Sequence, residues 1–235
     1  MEDGAREKKL TIIQHLDELR QRLVVCAVAL AVTTLVALVF TNQVFDLLLV
    51  PAPEGFKPVY TEMTEMLTTY FKVAILSGIA LALPVLVYEI LLFVAPALTR
   101  QEKGFFIWLL PAVFVCFFAG ASFGFFLVLP FAVKYLLTFS SIATPFIKVG
   151  NYISFVSSLL FWIGISFETP LLIFFLAKIH LVTAKKLASY RKFAFVGAFA
   201  ASAIVTPTPD PINQAIVAIP LILLYEIGIV LARLA

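Results

Sequence analysis

The chain has 235 residues, of which 62% are hydrophobic and only 13% are charged. No water-soluble domain could cover its surface with so few polar groups, so the composition predicts an integral membrane protein whose helices face lipid. The formal net charge of +3 is too small to indicate nucleic-acid binding. Cys26 and Cys116 lie in apolar runs, where a thiol acts as a small hydrophobic group, so we expect neither a disulfide nor a metal site there.

Long apolar runs predict membrane-spanning helices, because about 20 helical residues cross a hydrocarbon core about 30 Å thick. The four clear runs are residues 23–40, 73–95, 105–133 and 153–177. Two further segments, 193–205 and 212–231, form a short hairpin that either thins the bilayer or stops inside it. We therefore expect one domain, residues 1–235, built as an all-α bundle of six transmembrane helices of which the last two are short.

The distribution of basic residues predicts the orientation of the bundle. Thirteen of the 17 Lys and Arg residues fall in the N-terminal tail, near 96–104, near 178–192 or at the C-terminus. The positive-inside rule therefore places both termini in the cytoplasm. The charged N-terminal tail contains acidic residues and runs into an apolar segment without a small-residue cleavage site, so we expect it to be retained in a prokaryotic cytoplasmic membrane.

The outer segment 41–69 contains Pro51, Pro53 and Pro58 among apolar residues. Because proline interrupts a helix, this segment cannot form one continuous helix. We expect short amphipathic pieces that lie at the membrane interface and cap the bundle.

A charged cluster, H-L-D-E-L-R-Q-R-L, precedes the first span at 15–23. Its leucines recur at helical spacing, which predicts an amphipathic helix that enters the span. Glu18 and Arg22 are four residues apart in the favourable order. A surface ion pair worth about 0.3–0.5 kcal/mol explains both residues most simply.

Glu168 lies well inside the fourth span and is followed by Thr169 and Pro170. An acid at the centre of a lipid-facing helix costs about 2.5–3.5 kcal/mol, so it normally faces a protein interior, a cavity or a partner. Two interpretations stay open: a hydrogen-bonded core acid at a proline kink, or a functional polar group within the membrane. The turn T-P-T-P-D-P at 206–211 ends the fifth segment, and we expect Asp210 to cap the last helix.

Motifs for the common catalytic and cofactor sites are missing from the sequence. It contains no Walker-type glycine-rich loop, no H-E-x-x-H, no G-x-S-x-G and no clustered Cys or His ligands. We therefore expect no catalysis, no cofactor and no metal. If the protein moves a substrate, the energy must come from the membrane potential, a proton gradient or a partner.

Four motifs together resemble the TatC family, the substrate-receptor subunit of the twin-arginine protein translocase. They are H-L-x-E-L-R-x-R-L before the first span, F-V-A-P-A-L with a Glu shortly afterwards, F-E-T-P in the fourth span and T-P-x-x-D-P between the last two spans. The resemblance covers essentially the whole chain. It implies a concave six-helix bundle that binds the signal peptide of folded cargo, forms oligomers within a receptor complex, and works with TatA/TatB-type single-span proteins.

The resemblance also implies roles for particular residues. Glu18 and Glu102 match the two cytoplasmic acids that receive the paired arginines of the signal peptide. This role suits a carboxylate, which accepts the planar guanidinium fork bidentately, whereas a lysine ammonium is a point charge. The supporting residues of this signal-peptide site are Leu16, Arg20, Phe93 and Pro96.

Glu168, with Thr169 and Pro170, matches an intramembrane position that meets a polar group of a partner helix. Pro51 and Asp210 match positions in the periplasmic cap and in the last turn. The alternative is a proton-coupled secondary transporter that uses Glu168. Such a transporter should have two related halves with paired broken helices, which the sequence does not show. An intramembrane hydrolase would need a nucleophile and a base on facing spans, and the sequence offers neither.

Overall fold

The computed structural model describes residues 12–52, 59–94, 106–138, 147–206 and 210–234. Within these ranges the regular structure is helical, apart from one isolated β-bridge. The α-helices are α1 (Ile12–Val39), α2 (Thr41–Leu49), α3 (Glu65–Val94), α4 (Phe106–Phe123), α5 (Leu129–Thr138), α6 (Val149–Ser166), α7 (Thr169–Lys178), α8 (Ala184–Ser189), α9 (Arg191–Val205) and α10 (Pro211–Leu231). One turn of π-helix, Gly124–Val128, joins α4 to α5.

Five helical segments of the described chain are long and apolar enough to cross a membrane. They are Leu16–Val39, Glu65–Phe93, Leu109–Leu136, Val149–Lys178 and Pro211–Leu231. The four long predicted spans and the last one are thus confirmed as helices. The fifth predicted span corresponds to α9, whose 15 residues rise about 22 Å, less than a hydrocarbon core of about 30 Å.

The second spanning helix starts at Glu65, eight residues before the predicted start at residue 73. The predicted span began after Lys72 because a charged residue was not expected inside the membrane. In the structure the Lys72 side chain is exposed, and the helix includes it and begins earlier. The earlier turns are held because the Thr69 hydroxyl donates to the Glu65 carbonyl oxygen at 2.6 Å. The Glu65 carboxylate in turn accepts a 2.9 Å hydrogen bond from the backbone N–H of Gly150, which ties the start of α3 to the start of α6.

The segment before α3 contains the short amphipathic helix that the prolines predicted. In α2, Phe45 and Leu48 are buried, and the Phe45 ring stacks on the Tyr70 ring of α3 with 4.5 Å between centroids. Pro51 follows directly in the turn after α2. Residues 53–58 lie outside the described residues. The described part of this segment therefore packs on the end of the bundle where α3 begins.

Helix α1 packs along α3, and a glycine sets the distance between them. A Cβ atom at Gly78 would lie 2.4 Å from Thr34 Oγ1 and 2.7 Å from Thr34 Cα, so a larger residue would force the two helices apart. Because α1 and α3 run in opposite directions, the start of α1 and the end of α3 meet at the same end of the bundle. This end is called the α1-start end below.

Two groups of buried apolar side chains form the core. The larger group joins α2, α3, α5, α6 and α10 around Phe45, Val73, Leu129, Ile153, Leu159 and Val217. The smaller group, nearer the α1-start end, contains Leu91, Leu109, Val113 and Phe175. Helix α6 belongs to the first group and α7 to the second, so the junction between α6 and α7 lies between the two groups.

Helix α7 ends in a turn that requires one residue in the left-handed backbone conformation. His180 has φ 58°, the only positive φ of a non-glycine residue in the described ranges. The Leu181 N–H donates to the Leu176 carbonyl at 3.0 Å, and the His180 N–H donates to the Ala177 carbonyl at 3.0 Å. This pattern is a Schellman motif, in which glycine is the preferred left-handed residue because it has no Cβ.

We predict that His180→Gly stabilises the protein. Removing the Cβ relieves the left-handed conformation and should add about 1 kcal/mol to the free energy of unfolding. A thermal melt in detergent should show a rise in Tm of about 2–4 °C. His180→Ala retains the Cβ and should show no such rise; an equal rise in both variants would contradict the explanation.

Candidate functional site

An ion cluster of three side chains lies at the α1-start end of the bundle. Arg22 on α1 donates from Nη1 to Glu89 Oε2 on α3 at 3.1 Å. Its Nε donates to Glu18 Oε1 at 3.2 Å, and its Nη2 also contacts that oxygen. The three side chains are only 13–23% exposed. One guanidinium therefore lies between two partly buried carboxylates that belong to different helices.

Helix geometry explains why these groups meet. Glu18 and Arg22 are one turn apart, so both point from the same face of α1. The antiparallel packing of α1 and α3 brings Glu89, near the end of α3, to the same level.

The ion pair between Glu18 and Arg22 is confirmed, as their spacing predicted. The contact with Glu89 was missed, because Arg22 and Glu89 lie on different helices and are 67 residues apart in sequence. The sequence shows Glu89 only as an acid near the end of a span. No local pattern indicates its partner.

The other residues of the predicted signal-peptide site are placed as follows. Arg20 is on the opposite side of α1 from the ion cluster, where it lines a shallow groove. Leu16 is 58% exposed. Phe93 lies one turn after Glu89 on α3. Two members, Glu102 and Pro96, lie outside the described residues.

Glu168 is buried at the junction between α6 and α7. Its side chain is 6% exposed, and neither carboxyl oxygen has a hydrogen-bond partner among the described residues. The helix breaks here because Pro170, in the first turn of α7, has no N–H to donate to the Ser166 carbonyl. The proline break that the sequence indicated is confirmed, whereas the hydrogen bond expected of a structural core acid is absent from the described part of the chain.

Apolar groups of α4 pack against this junction. A Cβ at Gly164 would lie 2.6 Å from the Phe117 ring, so α4 and α6 touch directly one turn before Glu168. The Phe167 ring packs on Phe123 with 5.4 Å between centroids. Burial of a polar group in such surroundings without a hydrogen bond costs free energy, and a group that is retained at this cost is a candidate for function.

Asp210 forms the predicted helix cap. Its Oδ1 accepts a hydrogen bond from the Asn213 N–H at 2.7 Å, and its Oδ2 accepts from Asn213 Nδ2 at 3.2 Å. The preceding residues 207–209 lie outside the described residues. The cap fixes the start of α10, with Asn213 almost completely buried.

The opposite end of the α9–α10 hairpin is closed by a second ion pair. Arg191 donates from Nε and Nη2 to the two carboxylate oxygens of Glu226, each at 2.7 Å. The Tyr225 hydroxyl donates to the Leu187 carbonyl at 2.8 Å, which ties α8 to α10. This end of the hairpin is therefore fixed by polar contacts, although both helices are mainly apolar.

Two cavities of about 530 Å³ each open between the helices. One is apolar and lies between α1, α2, α3, α4 and α6. The other has Lys72, Asn151, Ser154 and Ser158 in its wall and lies where α9 ends. Neither contains a set of metal ligands, and no cluster of three His, Cys, Asp or Glu side chains occurs within the described ranges.

We predict that Glu168→Met stabilises the protein. Methionine fills a similar volume without a polar group to bury, so the free energy of unfolding should rise by about 1–3 kcal/mol. Thermal unfolding in detergent should report a higher Tm. Glu65→Met is the matched control: it removes a carboxylate that accepts two backbone hydrogen bonds, from Thr61 and Gly150, and should lower Tm. A lower Tm for Glu168→Met would show that its carboxyl group is stabilised in the fold.

Comparison with known proteins extends over nearly the whole chain. The family model described as "Sec-independent protein translocase protein (TatC)" matches residues 14–220. A protein of that name from Desulforapulum autotrophicum is 41% identical, covering 97% of this chain and 86% of the relative. Another from Aquifex aeolicus is 39% identical, covering 96% of each chain. A crystal structure of the "Twin Arginine Translocase Receptor- TatC" is 40% identical and superposes with a TM-score of 0.83, covering 94% of this chain and 98% of that one.

Proposed function

Because the chain belongs to the TatC family of Sec-independent protein translocase proteins, we propose that it is the receptor that captures twin-arginine signal peptides. It is a multi-pass protein of a prokaryotic membrane and a component of the translocase. Its task in this proposal is recognition: it binds the signal peptide of a folded cargo protein before the cargo crosses the membrane. The family is one of translocation components, and no catalytic step is required of it.

The observation that carries this proposal is the pair of partly buried carboxylates, Glu18 and Glu89, at the α1-start end. Glu18 and Glu89 both accept hydrogen bonds from the guanidinium of Arg22. The cluster therefore offers carboxylate acceptors, which are the groups that bind an arginine side chain best. Glu102, which lies outside the described residues, supplies the second acid for the second arginine. An arginine fork can engage a carboxylate through two parallel hydrogen bonds, whereas lysine cannot.

The proposed topology places this acidic cluster in the cytoplasm. Five helical segments in the described part of the chain have the length to cross the membrane. In this proposal α9 becomes the sixth span of one domain, residues 1–235, in a locally thinned bilayer. Both termini then lie on the cytoplasmic side, together with most of the basic residues. Pro51 and Asp210 lie at the periplasmic end, and the bundle is concave towards its peptide and partners.

We predict that the purified full chain binds a twin-arginine signal peptide more tightly than the same peptide with both arginines changed to lysine. Glu18→Gln and Glu102→Gln should each weaken binding of the Arg-Arg peptide about tenfold, and the double variant should weaken it most. Fluorescence anisotropy of a labelled peptide measures each affinity. Glu226→Gln is the matched control, because it removes an arginine-paired acid that lies outside the ion cluster.

Equal affinity of the wild-type chain for the Arg-Arg and Lys-Lys peptides would overturn the receptor proposal. So would an unchanged Arg-Arg affinity in the Glu18→Gln/Glu102→Gln double variant.

Glu168 has a separate role in this proposal. We place it, with Thr169 and Pro170, at the contact with the transmembrane helix of a TatA/TatB-type single-span partner. Support comes from its burial without a hydrogen-bond partner in the described chain and from the helix break beside it. A polar group on an incoming helix would satisfy a carboxyl group that has no hydrogen-bond partner among the described residues. Several copies of the chain assemble with these partners in a receptor complex.

We predict that Glu168→Ala impairs transport of a folded twin-arginine reporter and association with the single-span partners. Peptide affinity should change less than twofold, because Glu168 is remote from the ion cluster. Transport into membrane vesicles, co-purification of partners and peptide anisotropy measure the three effects. Ser166→Ala, two residues away, removes a hydroxyl that is bonded only to its own helix and is the control. Loss of peptide binding with partner association intact would contradict this division of roles.

A further inference from the structure

The carboxylate proposed to receive a cargo arginine already holds an arginine of this chain. Arg22 uses two of its nitrogens on Glu18 Oε1. A guanidinium that binds Glu18 bidentately needs both carboxylate oxygens, so it must share Oε1 with Arg22 or displace Arg22 from it. The chemistry of the internal contact is the same as that of the proposed ligand contact, since both pair a guanidinium with a carboxylate.

Arg22 also has a second acceptor within reach. Its Nη1 donates to Glu89 Oε2 at 3.1 Å, from a different edge of the guanidinium. When the contact with Glu18 breaks, the contact with Glu89 can remain. The positive charge of Arg22 therefore stays paired, which avoids the cost of a partly buried and unpaired cation.

We propose that Arg22 competes with the cargo arginine for Glu18, and that Glu89 holds Arg22 when the cargo arginine takes its place. This inference rests on the proposed receptor function and adds a competitor and a holding residue to the same site. Arg22 and Glu89 are positioning residues in this scheme, because they act on the cargo through Glu18.

In the exchanged state two acids hold two arginines, one from the chain and one from the cargo, so each guanidinium has a carboxylate partner. The partial burial of all three side chains of the ion cluster strengthens each pair relative to a fully exposed one.

Competition lowers the affinity for any cation by a common factor. It therefore changes the absolute affinity for a signal peptide but leaves the ratio between Arg-Arg and Lys-Lys peptides unchanged. The ratio tests the receptor proposal, whereas the effects of Arg22 and Glu89 on absolute affinity test the competition. The two proposals can fail separately.

The experiment is a double-mutant cycle on the purified full chain, with the Arg-Arg and Lys-Lys peptides as probes. Arg22→Gln removes the competitor and should raise affinity for both peptides about three- to tenfold. Glu89→Gln removes the negative charge that holds Arg22 away from Glu18 and should lower affinity by a similar factor. In the Arg22→Gln background, Glu89→Gln should lose most of its effect, because no arginine remains to be held.

Two further variants separate competition from net charge and from misfolding. Arg22→Lys keeps the charge but replaces the fork with a point charge, so affinity should rise by less than in Arg22→Gln. Lys185→Gln, on exposed α8, removes one positive charge away from the cluster and should change affinity less than twofold. Size-exclusion profile and Tm in detergent verify the fold of each variant.

Three results would overturn the inference. A lower affinity in Arg22→Gln and Arg22→Lys would show that Arg22 orients Glu18 for the ligand and does not compete with it. An equal fall on Glu89→Gln with and without Arg22 would show that Glu89 meets the peptide directly. An equal rise in Lys185→Gln and Arg22→Gln would assign the effect to net charge alone.

Discussion

The constraint on which this structure depends is the lack of water for polar groups within the membrane. Helices satisfy the backbone internally, but each charged side chain must reach an end of the bundle or find a partner. The ion pairs follow this rule: Arg22 with its two acids lies at the α1-start end, and Arg191 with Glu226 closes the same end of the α9–α10 hairpin. Glu65 performs a similar task at the opposite end, where its carboxylate ties α3 to α6.

Glu168 departs from this rule. It is buried between the two core groups, at a helix break, without a hydrogen-bond partner in the described chain. Burial of the Glu168 carboxyl group without a hydrogen bond costs free energy, and nothing in the described chain offsets this cost. In the proposed assembly with single-span helices, the carboxyl group of Glu168 would be a specific attachment point, because lipid offers no competing hydrogen bond. Glu168 would then lower the stability of the isolated chain and favour assembly of the complex.

In the proposed receptor, the ion cluster connects the fold to recognition of the signal peptide. Antiparallel packing of α1 and α3, with Gly78 against Thr34, brings Glu89 to the pair that α1 forms by itself. A site that recognises arginine must present carboxylates, yet unpaired carboxylates at the edge of a membrane are costly and bind cations indiscriminately. In the proposed exchange, Arg22 meets both difficulties, since it keeps the two acids paired and can leave Glu18 without losing its contact with Glu89.

The sequence by itself determined the helical class, the four long spans, the pair of Glu18 and Arg22, the cap at Asp210 and the break at Pro170. Each of these features depends on residues that are close together in sequence. Hydrophobicity identifies the spans, charge spacing identifies the ion pair, and the missing N–H of proline explains the helix break. Only the tertiary structure placed Glu89 on Arg22, tied Glu65 to Gly150 and left Glu168 without a hydrogen bond among the described residues. These features depend on contacts between helices distant in sequence, and no local period or spacing encodes which helix faces will meet.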